Sequence, residues 1–484
     1  MRLWLALLGV AALSLTACNS TTRLSSASNK REFGRTGDAL TATTQLPGDG
    51  TGAVSATGAR AAVGGAAGHS AAGRAASGTV ATTKAPIEIG ILLTGTSNAA
   101  SFGVSAGNSL SETDVDNAVV DALDKQGGIA GHRIVPVYAS TDTGSTSWSA
   151  DYAAACSTFT EDHHVVAVLG YSFNHDEGFE RCLAGKRIPH LSTAVNVPDA
   201  KVLAQYPLLE ELSTPRIERR SQLKIDGGLA TGVVTRASRI GIVTDSCPGT
   251  QRAWTDVTRP YLAAKGLSVA SEFDIGCPDG ASDAGSAAGQ VPALILQFKA
   301  ARVDVISVFG VSEGPAILLI SSAAQAQNWH PTYLVSSLAD TSILADQIVK
   351  GQVAQIVGYG WMPVLDVKPG QWPALPAAAQ RCVALLQTRN VKPVAAADFA
   401  YAFNICEAFF LYQNAVTATG GAIDGAAVAR AIQGLGATYS GALSLEGRLS
   451  FAPGRPDAPA LARHFAWSDG CSCFTYRTYS APIG

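Results

Sequence analysis

Apolar and polar positions divide this chain into three unlike stretches. Leu3 to Leu13 is a nearly unbroken apolar run behind Arg2, too short to span a bilayer, and it leads through small residues to Leu15-Thr16-Ala17-Cys18. A run of that size and order predicts a signal peptide over residues 1–17. From Asn19 to Lys84 no hydrophobic period is sustained; Gly, Ala, Ser and Thr dominate, and Phe33 is the only aromatic residue. Such a segment buries too little apolar surface to offset the entropy of ordering it, which predicts a disordered linker over residues 18–85. Beyond Pro86 short β-branched runs alternate with helical stretches as far as about Val335.

That alternation is regular enough to name elements. Ile87 to Leu93 reads as a strand ending at Thr94-Gly95. A helix over Leu110 to Lys125 follows, with Val115, Ala118, Val119 and Ala122 at three- and four-residue spacing and a stop at Gly127-Gly128. Then come a strand Arg133–Tyr138, a helix Ser149–Thr160, a buried strand Val165–Leu169, a helix Asp176–Ala184 and the segment Ile188 to Ser192. The grammar restarts with strands at Arg239–Val243, Leu267–Phe273, Val303–Phe309 and Tyr333–Val335, separated by helices over Thr250–Lys265, Val291–Ala300 and Pro315–Gln327. Strands separated by helices of this length predict an α/β fold of two lobes, each a parallel β-sheet flanked by helices. In such sheets the ligand crevice lies beyond the carboxyl ends of the strands, so the residues after each strand are the candidate site.

Charge and cysteine content narrow the setting. The linker from Asn19 holds seven Lys/Arg against three Asp/Glu; with Arg2 and the whole-chain −3, residues 85–484 carry −8. A mildly acidic body has no electrostatic footprint for nucleic acid. As a random coil the 66-residue linker spans roughly 45 Å, enough to lift a domain off a membrane. Setting Cys18 aside, eight of the nine cysteines remain, an even number that in an exported chain favours disulfides. Eight cysteines allow on the order of 100 pairings. Joining sequence neighbours gives Cys156 with Cys182, Cys247 with Cys277, Cys382 with Cys406, and Cys471 with Cys473. The last pair, a tight C-x-C, is alternatively a soft-metal site.

Two resemblances follow from these residues. Leu15-Thr16-Ala17-Cys18 resembles the lipobox of bacterial lipoproteins, which implies lipidation at Cys18 and anchoring to the outer face of a bacterial membrane. Ile89 to Gly95, the segment Gly127-Gly128-Ile129-Ala130-Gly131, the strand leading to Tyr138 and Asp142, and Val168-Leu169-Gly170 with Ile188-Pro189 form an ordered set. Together with Phe399–Gly420 and Tyr439–Leu449, this set resembles the type I periplasmic binding fold of the branched-chain amino acid (Leu/Ile/Val) transport group. The resemblance implies lobe one over 86–212 and 362–445, and lobe two over 213–361 and 446–484. It further implies a monomer that closes like a clamshell on a small polar or amphipathic ligand (an amino acid, amide or carboxylate) and delivers it to an ABC transporter permease, without enzymatic activity or cofactor.

The same resemblance selects site residues. In lobe one these are Ser101 and Phe102 after the first strand, Tyr171, Ser172 and Phe173 after the third, and Ser192, Thr193, Ala194 and Asn196 after the fourth. Hydroxyls and backbone N–H groups there suit an anionic or polar ligand group. In lobe two they are Asp245, Ser246, Ser312, Glu313 and Ser337. Lobe two departs from the family pattern. The loop Asp245 to Gly249 lacks the covering aromatic residue, and no acid stands at Ser336-Ser337 for a ligand ammonium, although Glu313 or Asp340 lies near enough in sequence to replace it. Phe102 and Trp148 are equally candidates for capping a ligand and for plain core packing.

A serine hydrolase is the alternative. Gly310-Val311-Ser312-Glu313-Gly314 fits G-x-S-x-G between a strand and a helix, with Asp398 or Asp424 and His464 in the right chain order. The same pattern recurs at Gly103 to Gly107 without a strand immediately before it, and no HGGG-like segment precedes Ser312. Glu161-Asp162-His163-His164 reads as a solvated helix end better than as a metal site. Neither a P-loop nor a G-x-G-x-x-G after a strand is present, which leaves nucleotide use unsupported. A ligand-sensing or adhesion module without a transporter is the third reading.

Overall fold

The computed structural model describes residues 83–94, 109–170, 175–194, 198–310 and 313–484. Its strands form two sheets. In the first, β1 (Lys84–Leu93), β2 (His132–Ser140), β3 (Ala167–Gly170), β4 (His190–Ser192) and β5 (Leu209–Glu211) lie in the order β2-β1-β3-β4-β5, and every pairing is parallel. The second runs β12-β11-β10-β9-β8-β6-β7, built from β6 (Arg239–Thr244), β7 (Ser268–Asp274), β8 (Val305–Val308), β9 (Thr332–Ser336), β10 (Ile356–Gly360), β11 (Leu461–Ser468) and β12 (Cys473–Pro482). From β7 to β10 it is parallel, as expected. The C-terminal hairpin β11–β12 then joins β10 antiparallel, an addition the sequence reading lacked. Its strands are only half buried, so their mixed polar and aromatic residues show no buried run.

Local sequence explains the elements that were expected. The helix Glu112–Lys125 has Glu112 and Asp114 in its first turn and Lys125 in its last, matching the helix dipole. It buries Val115, Ala118, Val119, Ala122 and Leu123 and ends where Gly127 and Gly128 take positive φ (102° and 69°). The first strand starts three residues earlier than expected, at Lys84 instead of Ile87. Lys84 pairs with His132, and the Thr83 N–H donates to the Gly131 carbonyl. Among the helices that went unpredicted are Ala200–Gln205, Ile217–Thr231, Ala281–Gly289, Ala377–Gln387 and Gly425–Gly434. Ile217–Thr231 matters most, because it carries Arg219, Arg220 and Lys224 on buried faces, where a period search looks for apolar residues.

The long helix Ala396–Ala418 is buried on almost every side and packs on β3, β4 and the helix Glu112–Lys125 of the first sheet. Its Cys406 is bonded to Cys382 of the neighbouring helix. The other three disulfides, Cys156–Cys182, Cys247–Cys277 and Cys471–Cys473, also join the expected partners, so the C-x-C is a disulfide at the tip of the β11–β12 hairpin. Among the described residues no metal-binding cluster of His, Cys, Asp and Glu is found, and no helix is long and apolar enough to cross a membrane. His163 instead lies 3.3 Å from Glu88 at the surface.

Where the chain passes between the sheets, its crossings are tied to one another. The Trp361 indole donates to the Ser213 carbonyl at 2.7 Å, and the Leu445 N–H donates to the Trp361 carbonyl at 2.6 Å. One apolar cluster runs from Ile89, Ile91 and Leu169 through Trp361 and Met362 to Ile240 and Ile242, so a single core underlies the crossings.

Candidate functional site

The carboxyl ends of the first sheet present buried, uncharged groups. Ser192, Thr193 and Ala194 are all buried; the Ser192 hydroxyl accepts from the Ala194 N–H at 3.2 Å, and the Thr193 N–H donates to the Gly170 carbonyl at 3.0 Å. The Thr193 hydroxyl is buried with no partner among the described residues. Gly170 itself has φ +135°, and a Cβ there would sit 3.0 Å from the Leu92 carbonyl oxygen, so the turn beyond β3 requires glycine. At the end of β5, burial pushes the Glu211 carboxyl well above its usual range. Ser101, Phe102, Tyr171, Ser172, Phe173, Asn196 and Ser312 lie outside the described residues. Trp148, a candidate cap, opens the helix Trp148–Ser157 and is buried, its indole donating to the Thr143 carbonyl at 3.3 Å; core packing is the role its burial fits.

The ends of the second sheet are charged. Asp245, just after β6, accepts from the Cys247 N–H at 2.9 Å, and burial pushes its carboxyl up to about 6 against the hydrogen bonds from Thr250 and Cys247. Gly310 stands beside it with φ +88°; a Cβ there would come within 2.6 Å of an Asp245 oxygen, so glycine is needed at this strand end. Ser246 is exposed, and its N–H donates to the Gly276 carbonyl. Glu313 and Ser337 are placed differently from the expected ligand contacts. Glu313 is fully buried and accepts from Lys224 at 2.7 Å, from the Ser336 N–H at 2.6 Å and from the Ser336 hydroxyl at 2.8 Å. The Ser337 hydroxyl accepts from the N–H groups of Trp361 (2.7 Å) and Met362 (3.1 Å) at a crossing. Asp340, the other candidate acid, sits in a left-handed turn after β9; burial first, then Glu313 and Asp366, push it up to about 8.

Three features escaped the sequence reading. The first is Lys224, fully buried on the helix Ile217–Thr231, whose ammonium also donates to the Val308 carbonyl at 2.6 Å. The second is a link between the two sheets' loops. The Asp279 carboxylate accepts from the Ser149 N–H (2.9 Å) and from the Ser147 and Ser149 hydroxyls (2.8 Å each), while its carbonyl accepts from the Trp148 N–H (2.7 Å). An acid from the loop after β7 is thereby tied to the first turn of a helix that packs on the first sheet. The third is the pair Arg252–Asp199, with contacts of 2.7 and 3.1 Å, joining the short helix Pro248–Arg252 to the N-cap of the helix Ala200–Gln205. No local pattern signals these contacts, because each joins segments far apart in the chain.

The hydrolase partners are dispersed. Asp398 accepts from Ser109 and from the Val394 and Ala395 N–H groups, and Asp424 caps the helix Gly425–Gly434. His464 stacks on Tyr359 at 5.3 Å and has no carboxylate partner among the described residues. Base and acid are not brought together.

No protein-family model matches the sequence, and no curated protein does. Solved structures resemble its fold. A solute-binding protein of an ABC transporter from R. palustris, in complex with 4-hydroxybenzoate, superposes with a TM-score of 0.60 at 15% identity, covering 82% of this chain and 97% of that one. A leucine-binding protein from Thermotoga maritima MSB8 gives 0.56 at 14% identity, covering 81% and 98%. A periplasmic binding protein type 1 from Bordetella pertussis Tohama I gives 0.56 at 15%, covering 81% and 99%. Two helix-flanked sheets, tied crossings and these neighbours together show that the chain has the type I periplasmic binding fold.

Proposed function

We propose that this protein is an extracytoplasmic solute-binding lipoprotein. It captures a small polar or amphipathic ligand between two lobes, about 86–212 with 362–445 and 213–361 with 446–484, and hands it to an ABC transporter permease. Lipidated Cys18 and the linker hold it to the membrane. The observation that carries this reading is the pair of sheets whose carboxyl ends bear buried polar groups, Ser192 to Ala194 on one and Asp245 on the other, on either side of a tied set of crossings. Crossings of this kind act as a hinge, and burial of a ligand at strand ends is how open parallel sheets bind. The neighbours' ligands, 4-hydroxybenzoate and leucine, are of the proposed size and polarity.

A thermal-shift screen of small metabolites on the full chain tests the reading, since a ligand that binds only the native state raises its stability by mass action. A hit that raises the melting temperature and also compacts the protein in solution scattering is the expected result. Stabilisation without compaction would point instead to a rigid sensing or adhesion module.

A further inference from the structure

We infer that Arg220 anchors a carboxylate of the bound solute, so that the ligand class is an organic acid. This rests on the solute-binding reading above and narrows it. The argument starts from two neighbours on the helix Ile217–Thr231. Arg219 and Arg220 are both only 2% exposed. Arg219 donates to the carbonyls of Asp457, Pro459, Ile483 and Gly484 and to the Asp457 carboxylate. No hydrogen bond joins Arg220 to that segment, and its buried Nη1 donates to no group among the described residues.

Lys224 fixes where Arg220 lies. One turn further along the same face, the Lys224 ammonium meets the Val308 carbonyl at the end of β8 and Glu313 just after it. Arg220, one turn back, is therefore set beyond the strand ends, where the fields of Glu313, Asp245 and Glu218 reach it. None of the three is hydrogen-bonded to it. Glu313 is committed to Lys224 and Ser336, Asp245 accepts from Cys247, and Glu218 accepts from the Ala200 N–H and faces Arg216.

A buried carboxyl can shed its charge by taking a proton; a guanidinium stays charged at any ordinary pH. A buried cation lacking a hydrogen-bonded counter-charge is strongly unfavourable, and the planar fork of N–H groups on Arg matches the two oxygens of a carboxylate. A neutral amide offers one acceptor and no charge, and an ammonium offers neither.

The test uses the full chain as wild type, R220Q and R220M, with 4-hydroxybenzoate and leucine as probes beside their primary amides, and a wider library of organic acids and neutral solutes. Titration calorimetry should show an acid binding the wild type at least about tenfold more tightly than its amide. R220Q should lose about tenfold to a hundredfold for the acid and little for the amide. Without ligand, R220M should melt at or above the wild-type temperature, because it removes an unpaired buried charge. Three results overturn the inference and leave solute binding intact: acid and amide binding alike, binding of neutral solutes only, or R220M melting several degrees lower. A wild type that takes no solute of either kind overturns the solute-binding reading itself.

Discussion

The two sides of the helix Ile217–Thr231 carry the same kind of residue in opposite circumstances. On one side Arg219 is saturated by the C-terminal segment, holding the Asp457 carboxylate and four backbone carbonyls. On the other side Lys224 is paired with Glu313, but Arg220 is buried with Nη1 unpartnered among the described residues. The contrast separates fastening from recognition. A guanidinium whose acceptors all come from its own chain stabilises the fold, and one left short of acceptors at strand ends is disposed toward something that arrives later.

Three substitutions sharpen or break this contrast. The largest effect is expected from Arg219→Ala, which leaves Asp457 and several carbonyls buried and short of donors. It should cost about 3–5 kcal/mol in urea unfolding; a loss no larger than that of Arg220→Met would erase the distinction between the two sides. Asp366 comes next, as the acidic counterpart of Arg220. It is fully buried beside the crossing at Trp361, and burial pushes its carboxyl up to about 7 although Tyr476 donates to it at 2.6 Å. With a folded pKa above the unfolded one, its stabilising contribution is complete at pH below about 4 and is lost as pH rises to about 7. Asp366→Asn should therefore gain on wild type between pH 5 and pH 8, by at most about 4 kcal/mol at the upper end. Unfolding midpoints at the two pH values measure this, and a constant difference would mean that Asp366 is ionised throughout. The smallest effect is expected from Asp279→Ala, which removes the tie from the loop after β7 to the first turn of the helix Trp148–Ser157 and leaves its N-cap Ser147 in place. About 1 kcal/mol of stability should be lost, and solution scattering of the free protein should show a larger radius of gyration. An unchanged radius would show that this contact does not hold the sheets' loops together.

Much of the architecture was readable from local pattern. The strands ending at Leu93, Gly170, Thr244 and Val308 are β-branched runs closed by a polar or glycine turn, and their buried positions leave few other ways to fold. The four disulfides followed from pairing sequence neighbours, because each closes a loop of 30 residues or fewer. The site was legible only at its strand ends. Ser192 to Ala194 and Asp245 could be placed by position after a strand, but whether a side chain there is free could not. Glu313 looked available until Lys224 and Ser336 were seen to occupy it. Arg220 drew no notice because a charged residue in a polar stretch reads as surface.

What the amino-acid order alone determined was therefore the short-range part: an apolar leader, and alternating elements whose hydrophobic faces demand helix-flanked, mainly parallel sheets. What the tertiary structure decided was the partnership of every buried charge, because a guanidinium and its acceptors are brought together by folding from positions as far apart as Arg219 and Gly484. Periodicity reports which side of an element faces inward; it carries no information about what waits there.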